Sequence, residues 1–378
     1  MKILIAPDSF KGSLDALNTA KSIEKGILTV DDTVQSTLLP MADGGEGTMI
    51  NLVQATEGDV VSVQSIDPLG RPMMAEYGIT GDGKTAIVEL ATSSGIDLLK
   101  IEELNPLITT SFGSGLLIKH ALESGIKHFI ICLGGSATND AGVGLLQALG
   151  YQFFDDKGHE LLYGGQYLND LSTIDDSQVL PQLKDAHFEI ACDVKNPFIG
   201  EQGASYIFGP QKGATPEMVK QLDQSLEHFA NIIKKEKGIA IHQLEGAGAA
   251  GGAAGGMIAL LNAALKQGIE LVSDFVNLKT LIENEQFDYI FTGEGKVDGQ
   301  TAGGKVISGL CQLASKYQIP VIALVGGVEK DLHKLYEQGL TAAFSITNGP
   351  MTLDKAMTET EILLEQQAEQ IYRILSIK

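Results

Sequence analysis

Lys2-Ile3-Leu4-Ile5-Ala6-Pro7-Asp8 opens the chain with an apolar run stopped by a proline and an acid. This run and the thirty residues after it decide the fold. Over residues 14–28 apolar positions return every three or four residues, the spacing of an amphipathic helix. Residues 34–39 then read as a second short strand. Strand, helix and strand in succession predict a βαβ unit and hence a parallel sheet, because the crossover lays the second strand beside the first in the same direction.

The C-terminal part repeats this grammar. Strands are expected at 288–292, 320–325 and 342–346, with helices at 306–316 and 332–338 and a final helix from Leu353. The two ends of the chain therefore read as one open parallel sheet. The middle differs: 59–66, 73–79 and 85–90 read as successive strands joined by the turn signals Asp67-Pro68 and Gly81-Asp82-Gly83. Further strands at 129–133 and 188–192 and helices at 115–123, 216–235 and 257–266 complete it. At 378 residues the chain exceeds one ordinary domain. The expectation is an α/β protein with a discontinuous domain of residues 1–66 and 285–378, an inserted α/β domain of residues 67–284, and an active site in the cleft between them.

Composition narrows the function. With 44% hydrophobic and 20% charged residues the chain can bury large cores. Its 27 Lys and Arg against 48 Asp and Glu leave a formal charge of −21, which repels nucleic acid and anionic lipid and argues against both as partners. An acidic protein can hold a phosphate only where local groups reverse that field: a metal ion, a few cations, helix N-termini. Three cysteines without a CxxC pair fit a reducing, cytoplasmic setting, and Asp8 cuts the first apolar run too short for a secretory signal. The uncharged stretch 246–265 has six glycines among its first 11 residues, which reads as a loop and a buried helix rather than a membrane span.

Two motif matches point elsewhere. Gly78-Ile79-Thr80-Gly81-Asp82-Gly83-Lys84-Thr85 satisfies the P-loop pattern, but Asp82-Gly83 is a hairpin turn and a strand, not a helix, comes next. Gly246-Ala247-Gly248-Ala249-Ala250-Gly251 matches the dinucleotide fingerprint with Glu270 downstream, which keeps an NAD-dependent oxidoreductase of a small hydroxy acid as the alternative function. Gly299-Gln300-Thr301-Ala302-Gly303-Gly304-Lys305 lacks the Ser or Thr of a Walker motif at Val306, yet it delivers Lys305 and free amides to a helix start, which suits an anion.

Acids and glycines also crowd the expected strand ends, around Asp8-Ser9-Phe10-Lys11, Asp43-Gly44-Gly45-Glu46-Gly47, Gly134-Gly135-Ser136-Ala137-Thr138-Asn139-Asp140, Asp193-Val194-Lys195-Asn196-Pro197 and Gly293-Glu294-Gly295-Lys296-Val297-Asp298. Ligands of open parallel sheets bind at the carboxyl ends of strands. Turns and helix caps favour the same residues, but five such loops in one chain suit phosphoryl transfer. That chemistry needs a phosphate cradle, carboxylates for Mg²⁺, and a carboxylate near the attacking hydroxyl.

These segments, with Asp67-Pro68-Leu69-Gly70-Arg71-Pro72 and Gly209-Pro210-Gln211-Lys212-Gly213, resemble the signatures of the bacterial glycerate kinase type-1 family, in order from residue 6 to beyond 300. The resemblance implies an ATP-dependent kinase with a discontinuous Rossmann-like domain, acting on glycerate with Mg-ATP. Its product is expected to be 2-phosphoglycerate from D-glycerate, ahead of 3-phosphoglycerate. Glycerate and ATP would be the small-molecule partners, and nothing in the sequence speaks for or against a homo-oligomer. From chemistry, Asp193 is the candidate carboxylate for the acceptor hydroxyl, against a plain Asx turn. Lys11 is the candidate cation, with Asp8 and Ser9 beside it, against a surface lysine in a loop where Ser13 caps the helix that follows. Arg71 is the candidate fork for the substrate carboxylate. Asp43, Glu294 and Asp298 are candidate Mg²⁺ ligands, against helix caps. Gly134, Gly135, Ser136, Thr138, Asn139 and Lys212 are nucleotide contacts by the motif match.

Overall fold

The computed structural model describes residues 1–42, 44–45, 47–297, 306–329 and 331–377. The chain divides into two compact units, unit 1 of Met1–Asp43 with Gln267–Lys378 and unit 2 of Gly44–Lys266. The first strands in chain order are β1 (Lys2–Ile5), β2 (Gln35–Leu38), β3 (Asp59–Ile66), β4 (Pro72–Ile79), β5 (Thr85–Glu89) and β6 (His128–Cys132). They are followed by β7 (Gln152–Phe154), β8 (Thr173–Asp175), β9 (His187–Ala191), β10 (Ala264–Lys266), β11 (Tyr289–Val297), β12 (Val321–Val328) and β13 (Leu340–Ser345).

Unit 1 is a five-stranded sheet in the order β13-β12-β11-β1-β2 with every neighbouring pair parallel. Counting only its own strands this is the doubly wound order 2-1-3-4-5, so the chain reverses its direction of winding between β1 and β11. The helix Ala16–Leu28 starts where Asp15 accepts the amide of Asn18 at 2.8 Å, satisfying one of the donors left unpaired at a helix start. Its buried face, including Ala20, Ile23 and Ile27, joins Ile3, Ile5, Phe291, Leu324 and Tyr372 in one core. Gly26 is needed there: a Cβ would stand 2.2 Å from the carbonyl of Glu365, on the helix Thr360–Leu375.

Unit 2 carries a six-stranded sheet, β10-β9-β6-β5-β4-β3. The pairs from β10 to β5 are parallel, and β4 and β3 add an antiparallel hairpin on one side. The P-loop look-alike is the β4–β5 turn, with Gly78 opposite Ile87. The element directly after it is the strand β5 and not a helix, so its amides do not sit at a helix start to receive a phosphate.

The chain passes between units at 43/44 and 266/267, where the sequence suggested 66/67 and 284/285. β3 explains the first difference, since it pairs with β4 from Asp59–Ile79 to Ile66–Pro72. Gly309 explains the second, because a Cβ on it would meet Ile269 at 2.5 Å, which packs the helix Gly268–Phe275 into unit 1. Three local expectations also change. The expected helix 257–266 is the helix Ala253–Leu261, ended by left-handed Asn262 (φ 52°), and then β10. The final helix is two, Leu353–Thr358 and Thr360–Leu375. The segment 293–297, read as a loop, is strand, because Glu294, Lys296 and Val297 stay in register with Val325, Gly327 and Val328 of β12.

Candidate active site

In unit 1 the winding reversal sets the carboxyl ends of β1 and β11 side by side. Past the end of β1, the amides of Ala6 and Asp8 still donate to the carbonyls of Phe291 and Gly293, each at 2.8 Å. Asp8 therefore lies beside the segment that carries Glu294, and its own carboxylate accepts the amide of Ser9 at 2.6 Å. Residues 10–14 close a tight turn, with Phe10 and Leu14 exchanging backbone hydrogen bonds at 2.8 and 3.0 Å. Phe10 is buried and Lys11 sits on the exposed side of this turn. Gly295 runs past it, an added Cβ falling 3.7 Å from the amide nitrogen of Lys11. Asp8, Ser9, Lys11 and the buried Glu294 thus gather at one end of the unit 1 sheet. Ser13 does not cap the helix; its hydroxyl bonds Met357 and Thr360, and Asp15 is the cap. Asp43, Asp298 and Lys305 lie outside the described residues.

In unit 2 the carboxyl ends of the parallel strands form one row: Glu89 beside Cys132, Cys132 beside Ala191, Ala191 beside Lys266. Glu89 was not foreseen. It is buried, and its carboxylate accepts the amide of Met49 at 2.7 Å in the first turn of the helix Thr48–Ala55, where amides lack helical partners and negative charge is favoured. The available signal was a lone acid closing the apolar run Ala86-Ile87-Val88.

The loop after β6 turns its polar side chains inward. Ser136, Thr138, Asn139 and Asp140 are all buried, while Gly134 and Gly135 reach the surface. Asp140 accepts the amide and hydroxyl of Ser111 at 2.9 and 2.8 Å and the amides of Gly142 and Gly144 at 3.2 and 3.3 Å. Burial pushes its carboxyl above the usual range, and these donors oppose that push. Asn139 donates to Ser205 at 3.0 Å. Lys212 is 2% exposed, and its amine donates to the Thr138 carbonyl at 2.6 Å and the Ser136 hydroxyl at 3.0 Å. Burial pushes that amine down to about 7, with the charge of Asp140 working the other way.

The glycine-rich run packs against this loop. An added Cβ on Gly251 would lie 2.1 Å from the Thr138 carbonyl, and one on Gly248 would lie 2.2 Å from that of Pro197. Ala141 and Ala250 both take left-handed backbone (φ 56° and 51°), and the Ala141 amide donates to Gly251 at 3.1 Å. Holding a non-glycine residue there costs about 1–2 kcal/mol, so surrounding contacts must fix it. These glycines admit neighbouring loops of the same unit, and no strand leads into them, so the dinucleotide fingerprint lacks its context.

Asp193 is exposed, two residues beyond β9, in a loop anchored by Cys192 donating to Lys266 at 2.9 Å and Asn196 donating to Gln202 at 2.8 Å. Lys195 pairs with Glu245 at 3.3 Å. Arg71 lies in the turn between β3 and β4, inside unit 2, and not at a junction of domains. Its guanidinium binds the carboxylate of Asp67 and that of Glu103 at 2.7 Å. Hydrogen bonding from Arg71 holds the Glu103 carboxyl below its usual range. Glu103 is another residue the sequence did not single out. Among the described residues no group of three or more His, Cys, Asp or Glu gathers to hold a metal, and Glu294 is the described member of the expected trio.

Known proteins supply the remaining comparison. A family model described as the glycerate kinase family matches residues 3–376. The chain belongs to that family. It is 46% identical to the glycerate kinase of Haemophilus influenzae over the whole of both chains. It is 46% identical to the glycerate 2-kinase of Escherichia coli K12 over 94% of this chain and 93% of that one. A solved structure from Salmonella typhimurium LT2, provisionally assigned as glycerate kinase 2, superposes with a TM-score of 0.90 at 42% identity, covering 99% of this chain and 98% of the other. Membership of a kinase family makes the chain an enzyme and implies ATP as substrate; the oxidoreductase alternative gains no support. No described helix is long and apolar enough to cross a membrane.

Proposed function

We propose that this chain transfers the γ-phosphoryl of ATP to a hydroxyl of D-glycerate, giving 2-phosphoglycerate. The observation that carries the proposal is the 46% identity, over nearly the full length of both chains, to the Escherichia coli protein whose name specifies a glycerate 2-kinase. Each unit, taken alone, supports it by offering polar groups at the carboxyl ends of parallel strands, the usual place for ligands in such sheets. Lys11 faces the transferring phosphoryl or the glycerate carboxylate, with Asp8 and Ser9 beside it. Asp193 orients or deprotonates the acceptor hydroxyl. Arg71 binds the substrate carboxylate, for which its guanidinium has to give up Glu103. Gly134 and Gly135 offer exposed backbone to the nucleotide, and Lys305 a cation. Mg²⁺, which takes oxygen ligands, is assigned to Asp43, Glu294 and Asp298, where it would neutralise phosphate charge in an otherwise acidic protein.

A coupled ADP-release assay with D- and L-glycerate, with and without Mg²⁺, tests the whole reading. Release with D-glycerate that requires Mg²⁺ is expected, and no release with either isomer overturns it. Phosphorus NMR of the product distinguishes the 2- from the 3-phosphate.

A further inference from the structure

We infer that Lys212 is a positioning residue, which braces the loop after β6 from inside unit 2 so that Gly134 and Gly135 meet the nucleotide while Lys212 itself touches none. The inference rests on the kinase reading and deepens it.

The geometry is that of an internal brace. Lys212 ends the short turn Pro210–Lys212, and Gly213 follows in left-handed conformation (φ 89°), where a Cβ would meet the Leu104 carbonyl at 2.4 Å. The turn is therefore pressed against the backbone at Leu104. From it the Lys212 amine spans to two atoms either side of Ala137, the Ser136 hydroxyl at 3.0 Å and the Thr138 carbonyl at 2.6 Å. Ala137 is itself held from both sides, its amide donating to Ser94 at 2.8 Å and its carbonyl accepting from Thr109 at 2.9 Å. The Thr138 carbonyl is buried, and an unmatched carbonyl there would be costly, so a donor from the interior has a purpose. Asp140, on the same loop, is the charge that acts on the amine and favours its protonated form. A lysine that binds phosphate directly presents its ammonium to the ligand space; this one is 2% exposed and spends its donors on its own chain.

Two measurements decide it. The first is amine acetylation of the wild-type enzyme, followed by mass spectrometry, with and without Mg-ATP. Lys212 should react far more slowly than exposed Lys195, with less than about a twofold change on adding nucleotide. Reaction of Lys212 at the Lys195 rate together with protection by nucleotide overturns the proposal. The second is steady-state kinetics of Lys212→Met. The KM for ATP should rise by about tenfold, with the KM for glycerate and kcat each within a few-fold of wild type. A folded variant with unchanged KM for ATP, or with a loss confined to kcat, overturns the proposal. If the variant does not fold, the acetylation pattern stands on its own. Failure of the wild-type enzyme to release ADP would sink the kinase reading and is seen separately from either result.

Discussion

The unit 1 sheet is parallel throughout, and at its carboxyl ends Asp8 and Ser9 are half-buried while Lys11 is exposed. The unit 2 sheet is parallel only from β5 to β10, and the loop following β6 sends its hydroxyls, amide and carboxylate into the interior. Both loops begin as an apolar strand running into acids, glycines and hydroxyls. In unit 1 a five-residue turn closes on itself and keeps Lys11 outside, while Ser13 bonds Met357 and Thr360. In unit 2 the loop is roofed by the 204–213 segment and the glycine-rich run, so its polar groups take partners such as Ser205 and Lys212 from the interior, and the Thr138 hydroxyl and Asn139 Oδ1 stay buried without one among the described residues. A strand end rich in such residues thus says where chemistry can be placed, and packing decides which side chains can reach it.

The sharpest way to break this comparison is through an exposed group of unit 2. Asp193→Asn should lower kcat by about 10²–10⁴-fold, the usual worth of a general base, with the thermal midpoint unchanged. A near wild-type kcat would leave unit 2 without its proposed base. Next comes packing. Gly256→Ala puts a Cβ 1.9 Å from the Ala141 carbonyl in the interlocked interior and should cost about 3 kcal/mol. Gly83→Ala, in the hairpin with open space but φ of 71°, should cost only about 1 kcal/mol. Urea midpoints measure both, and equal costs would mean that the interior glycines are not close-packed.

Arg71→Lys keeps the charge and loses the fork shared by Asp67 and Glu103. The KM for glycerate should rise by about tenfold. An unchanged KM with a weakened turn would assign Arg71 to structure alone. The smallest effect is a pH slope. In the folded chain the Lys212 amine titrates at about 7, well below its ordinary 10.5. Between those values the unfolded chain binds the proton and the folded chain does not, so stability from this group rises with pH, and the full cost of burying the charge applies below about 7. Lys212→Met removes this slope. The variant's urea midpoint relative to wild type should be most favourable at pH 6.5 and fall progressively by pH 9.5; a constant difference would refute it.

Periodicity made much of the fold legible. The helix Val306–Lys316 and the strand β3 have the bounds expected from apolar spacing. Where pairing partners decide, spacing misled. Gly293-Glu294-Gly295-Lys296 looks like loop, yet β12 supplies a parallel neighbour and makes it strand. Residues 264–266 have helix-forming side chains, but left-handed Asn262 ends the helix and β9 captures them. In the site, residue types were readable and burial was not. Ser136, Thr138, Asn139 and Lys212 carried the right chemistry for a nucleotide, and they meet interior partners 66 to 76 residues away. Glu89 escaped notice because its partner, Met49, lies 40 residues upstream.

The division of unit 1 has a consequence for synthesis. β1 pairs with β2 soon after both are made, but its other edge waits for β11, which begins at Tyr289. At ribosomal speeds of about 5–20 residues per second, that wait is on the order of 10–50 s. Throughout it the apolar edge of Ile3, Leu4 and Ile5 is an open template for a foreign strand, while all of unit 2 emerges and can fold. The nascent chain is therefore most prone to aggregate before its last quarter is made, and a chaperone that shields the first forty residues would raise yield more than one acting on the finished protein.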